Sequence, residues 1–205
     1  CEDVEVLKNT NLEISSTKFT AIVGPSGSGK STLLTIIGAL QSPSEGEVII
    51  NGTNINKLSD KEKTKLRFDD IGFVLQGSNL IPYLSILEQY ELKLKKAKTK
   101  IDKERINEVL KNLSIYKVRN EYPDEVSGGE RQRAAIGLAL LLKPKLILAD
   151  EPTASLDTDK AIQVVETLQK ISRSENTSVI MVTHDTRLLD YCDHIIEIVD
   201  GNVSV

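Results

Sequence analysis

The chain of 205 residues carries 26 basic and 30 acidic side chains, a formal net charge of −4, so it offers no overall basic field to a nucleic-acid backbone. Hydrophobic residues make up 40% of it, as in a globular cytosolic protein, and no apolar run approaches the about 20 residues that a membrane span requires. The two cysteines, Cys1 and Cys192, lack the spacing of a metal site or a redox pair, which favours a reducing compartment.

The hydrophobic pattern predicts strands first, then helices, then an alternation of the two. Short strands are predicted at residues 4–7, 12–14, 19–23 and 46–52, with a helix over 31–40. A charged helix at 59–68 and a strand at 71–75 come next, followed by helices near 84–98, 102–113 and 128–142. Strands at 145–149, 178–183 and 194–199 then alternate with helices at 158–172 and 186–191. This alternation predicts an α/β fold with a mostly parallel sheet between helices, interrupted by a helical lobe.

Eight residues after the strand at 19–23 match the pattern G-x-x-x-x-G-K-[ST] of a phosphate-binding loop. They are Gly24, Pro25, Ser26, Gly27, Ser28, Gly29, Lys30 and Ser31. The glycines let backbone N–H groups surround the phosphates, the lysine reaches the β- and γ-phosphates, and the final hydroxyl ligates Mg²⁺. The helix that begins at Lys30 adds the positive end of its dipole. The chain is therefore predicted to bind a nucleoside triphosphate.

An apolar strand, residues 146–149, ends in the acidic pair Asp150 and Glu151. A buried strand of this kind delivers its carboxylates to the carboxyl edge of the sheet, where the phosphates are expected. Asp150 suits the Mg²⁺ ion, directly or through a water, and Glu151 suits the attacking water.

Ser127, Gly128, Gly129 and Glu130 open a predicted helix, with the serine as a natural N-cap and the glycines allowing close approach of another body. With the phosphate loop and the acidic strand end, this segment resembles the signature of ATP-binding cassette (ABC) ATPases. Three further landmarks follow the order of that family, namely Gln76, Asp157 and His184. The resemblance spans essentially the whole chain.

Within the family the chain is most similar to the macrolide-exporter and lipoprotein-release type, through residues 71–76, 79–82 and 149–153. More narrowly, residues 81–84, 153–157 and 185–191 resemble haem-efflux ATPases. The family's fold would comprise one domain over 1–205, with a β-subdomain containing antiparallel strands and a RecA-like core at 1–81 and 143–205. The helical lobe would cover about 82–142. An N-terminal segment is expected before Cys1, carrying the aromatic residue that stacks on adenine.

The resemblance implies ATP hydrolysis with Mg²⁺ in a head-to-tail pair of chains. Residues 24–31 and Thr32 of one chain and residues 127–130 and Asp157 of the other would enclose each ATP. Lys30, Gln76, Glu151 and His184 would be catalytic, and Ser31, Gln76 and Asp150 would hold the metal ion. The histidine would touch the γ-phosphate, and Gln76 would contact the metal or the water.

The function implied is that of an ATP-hydrolysing motor that drives a separate integral-membrane permease from the cytoplasmic face of the cell membrane. The permease would act on substrates outside the membrane, by efflux. Two alternatives stay open: a signalling ATPase of the cell-division type, and a soluble ABC ATPase that acts on DNA or ribosomes. Against the soluble class, only 97 positions separate Lys30 from Ser127 (127 minus 30), too few for a long coiled-coil insert. No nucleic-acid partner is expected.

Overall fold

A six-stranded sheet forms the centre of the computed structural model, which describes residues 6–8, 10–98 and 101–204. Its strands are β1 (Phe19–Val23), β4 (Ile71–Val74), β5 (Leu146–Asp150), β6 (Ser178–Val182), β7 (His194–Val199) and β8 (Asn202–Ser204). They lie in the order β4-β5-β6-β1-β7-β8, parallel except for the antiparallel pair β7 and β8. The strands β2 (Ile49–Ile50) and β3 (Thr53–Asn54) form a separate antiparallel pair.

Alternate side chains of the central strands enter two different hydrophobic cores. In β6, Val179 and Met181 belong to one core, whereas Ile180 and Val182 belong to the other. Because successive side chains of a strand point to opposite faces, both faces of the sheet are covered. Nearly continuous apolar strands such as β5 are the sequence signature of this burial.

The α-helices of the described residues cover the two faces: α1 (Lys30–Ile37), α2 (Asp60–Asp69), α3 (Ile86–Lys96), α4 (Lys103–Asn112), α5 (Gly128–Leu140) and α6 (Thr158–Ser174). The first core holds side chains of α3, α4, α5 and α6, and the second holds Leu34 of α1. The mostly parallel α/β fold predicted from the sequence is thereby confirmed. No helix in the described part of the chain is long and apolar enough to cross a membrane.

Side chains cap the N-termini of five of the α-helices that the structure describes, and α1 is the exception. Ser, Asp or Ser-x-x-Glu caps precede α2 through α6, whereas α1 follows Gly29, which has a φ of 101° and no side chain to offer. The first N–H groups of a helix have no partner within the helix. The sequence therefore leaves the N-terminus of α1 open, at the end of the phosphate loop.

Several predicted elements are wrong or displaced. Residues 12–14 form no strand, although Leu12 and Ile14 pack on the second core, because no strand in the described part of the chain pairs with them. Of the strand predicted at 4–7, residues 4 and 5 lie outside the described residues, and 6 and 7 are not extended in a sheet. The strand at 46–52 shrinks to β2, and residues 186–191 form a 3₁₀-helix. The strand β8 was missed, although Asp200 and Gly201 before it are a typical hairpin turn.

Candidate functional site

The phosphate loop connects the end of β1 to the start of α1. Gly24, Pro25, Ser26, Gly27, Ser28 and Gly29 form the loop, and Lys30, Ser31 and Thr32 form the first turn of the helix. A Cβ atom on Gly24 would lie 2.0 Å from the backbone oxygen of Ile198 in β7, so no other residue fits there. A Cβ atom on Gly29 would lie 2.9 Å from the oxygen of Val6. Close packing against neighbouring backbone thus requires two of the motif glycines.

The donors of this loop suit an anionic ligand. Lys30 Nζ donates to the carbonyl oxygens of Gly24 at 2.8 Å and Pro25 at 2.7 Å, so its ammonium group lies over the loop. A cavity of about 320 Å³ adjoins it, lined by Val6, Gly27, Gly29, Lys30, Ser31 and Thr32. An ammonium group, an uncapped helix N-terminus and a glycine cradle are the parts with which proteins bind phosphates. These residues fit a nucleoside triphosphate.

The register of the sheet brings four distant segments to one edge. Asp150 in β5 lies opposite Val182 in β6, and Val182 lies opposite Ile22 in β1. On the other side of β5, Ala149 lies opposite Val74 in β4. The segments that follow these strands therefore emerge together at the carboxyl edge, where α/β proteins bind ligands. They carry the phosphate loop, the acidic pair, Gln76 and His184; Gln76 is exposed in the loop after β4.

Asp150 lies beside the first turn of α1. Ser31 Oγ donates to Asp150 Oδ1 at 3.4 Å. Burial raises the pKa of the Asp150 carboxyl group and the Glu151 charge adds to that, whereas the Ser31 hydroxyl and the Lys30 charge act in the opposite direction. A hydroxyl and a carboxylate supply the oxygen ligands that Mg²⁺ prefers when substrate phosphates complete its shell. No cluster of three or more His, Cys, Asp or Glu side chains that could hold a metal ion occurs among the described residues.

Glu151 and His184 contact each other at the same edge. Glu151 Oε2 lies 2.8 Å from His184 Nδ1, with 18% of the glutamate side chain and 71% of the histidine side chain exposed. Glu151 has a φ of 46°, a left-handed conformation that non-glycine residues rarely adopt. Its N–H donates to the carbonyl oxygen of Val182 at 3.0 Å. The backbone of β6 thus sets the conformation that turns this carboxylate towards the imidazole.

The segment 127–130 lies at the N-terminus of α5. Glu130 Oε2 accepts from Ser127 N at 2.9 Å and from Ser127 Oγ at 2.7 Å, and Ser127 Oγ accepts from Glu130 N at 3.3 Å. The bonds from Ser127 lower the pKa of the Glu130 carboxyl group. This reciprocal cap was missed in the sequence analysis, although Ser-x-x-Glu before a helix signals it. It makes the start of α5 rigid and leaves Gly128 half-exposed.

Asp157 lies next to this segment. It caps α6, accepts from Lys160 N at 3.0 Å and pairs with Lys160 Nζ at 2.6 Å. A Cβ atom built on Gly129 would lie 3.2 Å from the Lys160 side chain, so the starts of α5 and α6 pack together. The predicted site residues thus form two groups: Lys30, Ser31, Asp150, Glu151 and His184 at the sheet edge, and residues 127–130 with Asp157 at these helix starts.

Comparisons with known proteins agree with the geometry. Residues 7–154 match the family model described as ABC transporter. A protein of Staphylococcus haemolyticus named hemin import ATP-binding protein HrtA is 45% identical over 203 residues, covering 98% of this chain and 91% of its own length. The protein of that name from Staphylococcus aureus strain Newman is 44% identical over 206 residues, covering 98% and 92%.

Two solved structures share the fold. The ATP-binding cassette MJ0796, solved as a dimer in a post-hydrolysis state with ADP and Pi, superposes with a TM-score of 0.87 and 43% identity, over 98% of this chain and 89% of its own. The cassette cbiO1 of Clostridium perfringens, part of the ABC transporter complex cbiONQ, superposes with a TM-score of 0.88 and 28% identity. That match covers 98% of this chain and 80% of the cassette.

Proposed function

Since this chain belongs to the ABC transporter family and is the ATP-hydrolysing subunit of a transporter, we propose that it drives a separate membrane permease by pairing with a second copy of itself around ATP. The observation that carries the proposal is the convergence of Lys30, Ser31, Asp150, Glu151 and His184 at one edge of the sheet. Phosphate binding, metal binding and water activation are thereby available within one site.

The roles of the side chains follow from their positions. Lys30 and the N-terminus of α1 stabilise the negative charge that develops on the β- and γ-phosphates. Glu151 orients the attacking water and accepts its proton, and His184, held at 2.8 Å from that carboxylate, faces the γ-phosphate. Ser31, Asp150 and Gln76 would hold Mg²⁺, which supplies further charge neutralisation when bound. The proposed reaction is in-line hydrolysis of ATP to ADP and phosphate.

The second group of residues would complete the ATP site of the partner chain. Residues 127–130 present a helix N-terminus whose first turn includes two glycines, so a γ-phosphate can approach the backbone closely. Asp157, packed beside them through Lys160, would lie across the same interface. The dimer formed by the similar cassette MJ0796 supports this arrangement. Closure on ATP and opening after hydrolysis would be the power stroke.

We place the chain at the inner face of the cell membrane, attached through its permease. The helical lobe proposed for residues 82–142 would make that contact, with the segment 79–91 facing the permease. Tyr83 supports this assignment, because 77% of its side chain is exposed beside Ile81 and Pro82. An exposed aromatic side chain of this kind is typical of residues that bury themselves in a partner.

For the cargo we propose hemin. The relatives that cover nearly the whole chain are named as hemin import ATP-binding proteins, and the sequence motifs resemble those of haem-efflux ATPases. The motifs favour export, since they are shared with ATPases whose permeases act on substrates outside the membrane. Export is therefore the direction proposed.

The test uses the Glu151→Gln variant, which keeps the shape of the side chain but cannot accept the proton of the water. Tagged full-length protein is expressed in its source cells, trapped with ATP, solubilised in detergent and purified, and co-purifying chains are identified by mass spectrometry. Glu104→Gln, a change of an exposed acidic residue on α4, is the matched control. We expect ATP hydrolysis to be lost only in Glu151→Gln, together with capture of a multi-span permease.

A strain that lacks the gene then tests the cargo. Increased sensitivity to added hemin would support export, and loss of growth on hemin as the iron source would instead indicate import. A captured membrane partner with no hemin phenotype and with a division defect would favour the signalling alternative. Capture of ribosomal or DNA-repair proteins without a membrane protein would favour the soluble class.

A further inference from the structure

Arg187 joins two segments of the site that are far apart in the sequence. Its Nε donates to Asp185 Oδ1 at 2.8 Å and its Nη2 to Asp185 Oδ2 at 2.7 Å. The remaining nitrogen, Nη1, donates to Thr158 Oγ1 at 2.9 Å. The guanidinium group therefore binds a carboxylate on one side and a hydroxyl on the other.

The two partners of Arg187 are sequence neighbours of two proposed site residues. Asp185 follows His184, and its N–H donates to the buried Thr183 Oγ1 at 3.1 Å, which anchors the turn after β6. Thr158 is the first residue of α6 and follows Asp157, the cap of that helix. Arg187 thus ties the backbone that carries His184 to the backbone that carries Asp157.

Together these contacts close a ring. From Glu151 the chain turns through residues 152–157, held by the bond from Leu156 N to Thr153 O at 3.0 Å, and reaches Thr158. Arg187 links Thr158 to Asp185, and His184 returns to Glu151 at 2.8 Å. The start of α6 is therefore linked to the turn that carries the imidazole through the hydrogen bonds of one guanidinium group.

The contacts of Arg187 with Asp185 and Thr158 contribute little to the stability of the fold. The Arg187 side chain is 62% exposed, and an ion pair that is open to water adds little to the stability of a fold. These contacts instead fix an orientation, because a planar guanidinium group that binds a carboxylate through two nitrogens is held in one position relative to it. The pairing lowers the pKa of the Asp185 carboxyl group, which keeps this partner ionised.

We propose that Arg187 and Thr158 are positioning residues for ATP hydrolysis, which hold His184 in register with Asp157 so that pairing of two chains aligns the imidazole with Glu151. The proposal rests on the proposed function of the site. Neither residue touches ATP; the hydroxyl of Thr158 acts through Arg187 on the turn that carries His184.

The test compares Thr158→Val, which removes the hydroxyl and keeps the shape, with Thr158→Ser, which restores it. We expect Thr158→Val to lower kcat about five- to tenfold, since one charge-assisted hydrogen bond is lost, with the KM for ATP and the melting temperature nearly unchanged. Thr158→Ser should return kcat to the wild-type value. Thr167→Val, on the same helix and bonded only locally to Gln163 O at 2.7 Å, is the control and should behave as wild type.

Arg187→Lys is the second arm, because a lysine keeps the charge but cannot bind Asp185 through two nitrogens and Thr158 through a third. It should lower kcat as Thr158→Val does. Wild-type kcat in Thr158→Val, or failure of Thr158→Ser to restore a lowered kcat, would overturn the positioning role. Absence of ATP hydrolysis by the wild-type chain would instead contradict the function itself.

Discussion

Glu151 illustrates how the site depends on the conformation of a single residue. Its left-handed backbone, with φ at 46°, costs of order 1–3 kcal/mol for a residue that is not glycine. The bond of its N–H to Val182 O holds that conformation, and the carboxylate then meets His184. The strained backbone of Glu151 is thus what places its carboxylate next to the imidazole of His184.

Asp150 should be needed for ATP hydrolysis although its charge makes the folded protein less stable. Burial raises the pKa of its carboxyl group, so at neutral pH the ionised form lowers the free energy of unfolding. We expect Asp150→Asn to raise the melting temperature of the nucleotide-free protein at pH 7 and to abolish Mg²⁺-dependent hydrolysis. Thermal unfolding in a chelator, with Asp159→Asn as control, measures the first effect.

The pH dependence of this difference has a defined sign. As the pH falls through the raised pKa, the wild-type carboxyl group becomes protonated and loses its unfavourable charge, so its melting temperature should approach that of Asp150→Asn. A variant that melts below the wild type at pH 7 would show that the bond with Ser31 outweighs burial.

The sequence predicted which residues lie at the site better than it predicted the contacts that hold them in place. The phosphate loop, Asp150 and Glu151 follow a pattern because phosphate and metal binding require those residue types at those positions. The contacts of Arg187 and the cap formed by Glu130 were not predicted, since ion pairs and caps can form from many residue combinations. Only the folded chain shows which partner each side chain finds.

At the scale of elements, α3 and α5 are held at close range by a glycine. A Cβ atom on Gly137 would lie 1.9 Å from Tyr90 Oη and 2.7 Å from Leu113 Cδ1. Tyr90 itself is buried and donates to the carbonyl oxygen of Ala134 at 3.0 Å. The two helices can therefore approach only if the residue at 137 has no side chain.

We expect Gly137→Ala to lower the free energy of unfolding by about 1–3 kcal/mol, because the overpacking exceeds the gain in helix propensity. Tyr90→Phe removes the nearest atom, so in that background the cost of the alanine should be smaller by about 1 kcal/mol. Urea unfolding of the four proteins of the double-mutant cycle measures both quantities. Gly128→Ala is the control on the same helix, because the nearest atom to its new Cβ atom would be Leu156 Cδ2 at 3.6 Å, an ordinary van der Waals contact. Additive effects would show that the helices move apart.

Lys93 joins the same two helices by a different interaction. Its ammonium group donates to the carbonyl oxygen of Leu138 in the last turn of α5, and burial lowers its pKa from 10.5 to about 8. Between these two pH values the unfolded chain keeps a proton that the folded chain releases. The free energy of unfolding due to this residue therefore rises with pH across that interval.

Replacement of Lys93 by Met should be most favourable below pH 8, where the buried charge is present. The difference in free energy of unfolding between Lys93→Met and wild type should fall by about 1–3 kcal/mol as the pH rises from 7.5 to 10. Chemical unfolding at several pH values measures it, and the exposed Lys95→Met is the control. A difference that does not change with pH would mean that the ammonium group is solvated.

The sequence predicted elements well where the periodicity was long, and poorly where a strand depends on a partner. The helices α1 to α6 were each predicted, with ends displaced by a few residues, because the caps that set them act locally. Residues 12–14 have the alternation of a strand and lie against the core, but no strand among the described residues pairs with them. Strand pairing depends on two segments, so the sequence of one segment cannot show whether it will pair.

At the scale of the whole molecule, Gly128 should control the pairing of two chains. A side chain fits there without strain, since the nearest atom to a new Cβ atom would be Leu156 Cδ2 at 3.6 Å, and an acidic residue is favourable at a helix N-terminus. Gly128→Asp should therefore fold normally and bind ATP as a monomer. In a paired assembly its carboxylate would oppose the γ-phosphate of the partner's ATP.

The experiment combines Gly128→Asp with Glu151→Gln and measures the mass in solution with and without ATP. We expect the Glu151→Gln protein to become a dimer with ATP and the double variant to stay a monomer. Gly128→Ala in the same background adds a methyl group without charge and should still pair. ATP-dependent dimers of the double variant would refute a site shared between chains.

The strand order has a consequence for how the chain is made. Strand β6 lies between β5 and β1, yet it is the last of the three to leave the ribosome, at residues 178–182. Until it has been synthesised, β1 and β5 have no strand to join them, so the phosphate loop and the acidic pair cannot meet at a common edge. A fragment that ends before residue 178 therefore lacks the strand that brings the phosphate loop and the acidic pair to one edge, and we expect it not to hydrolyse ATP.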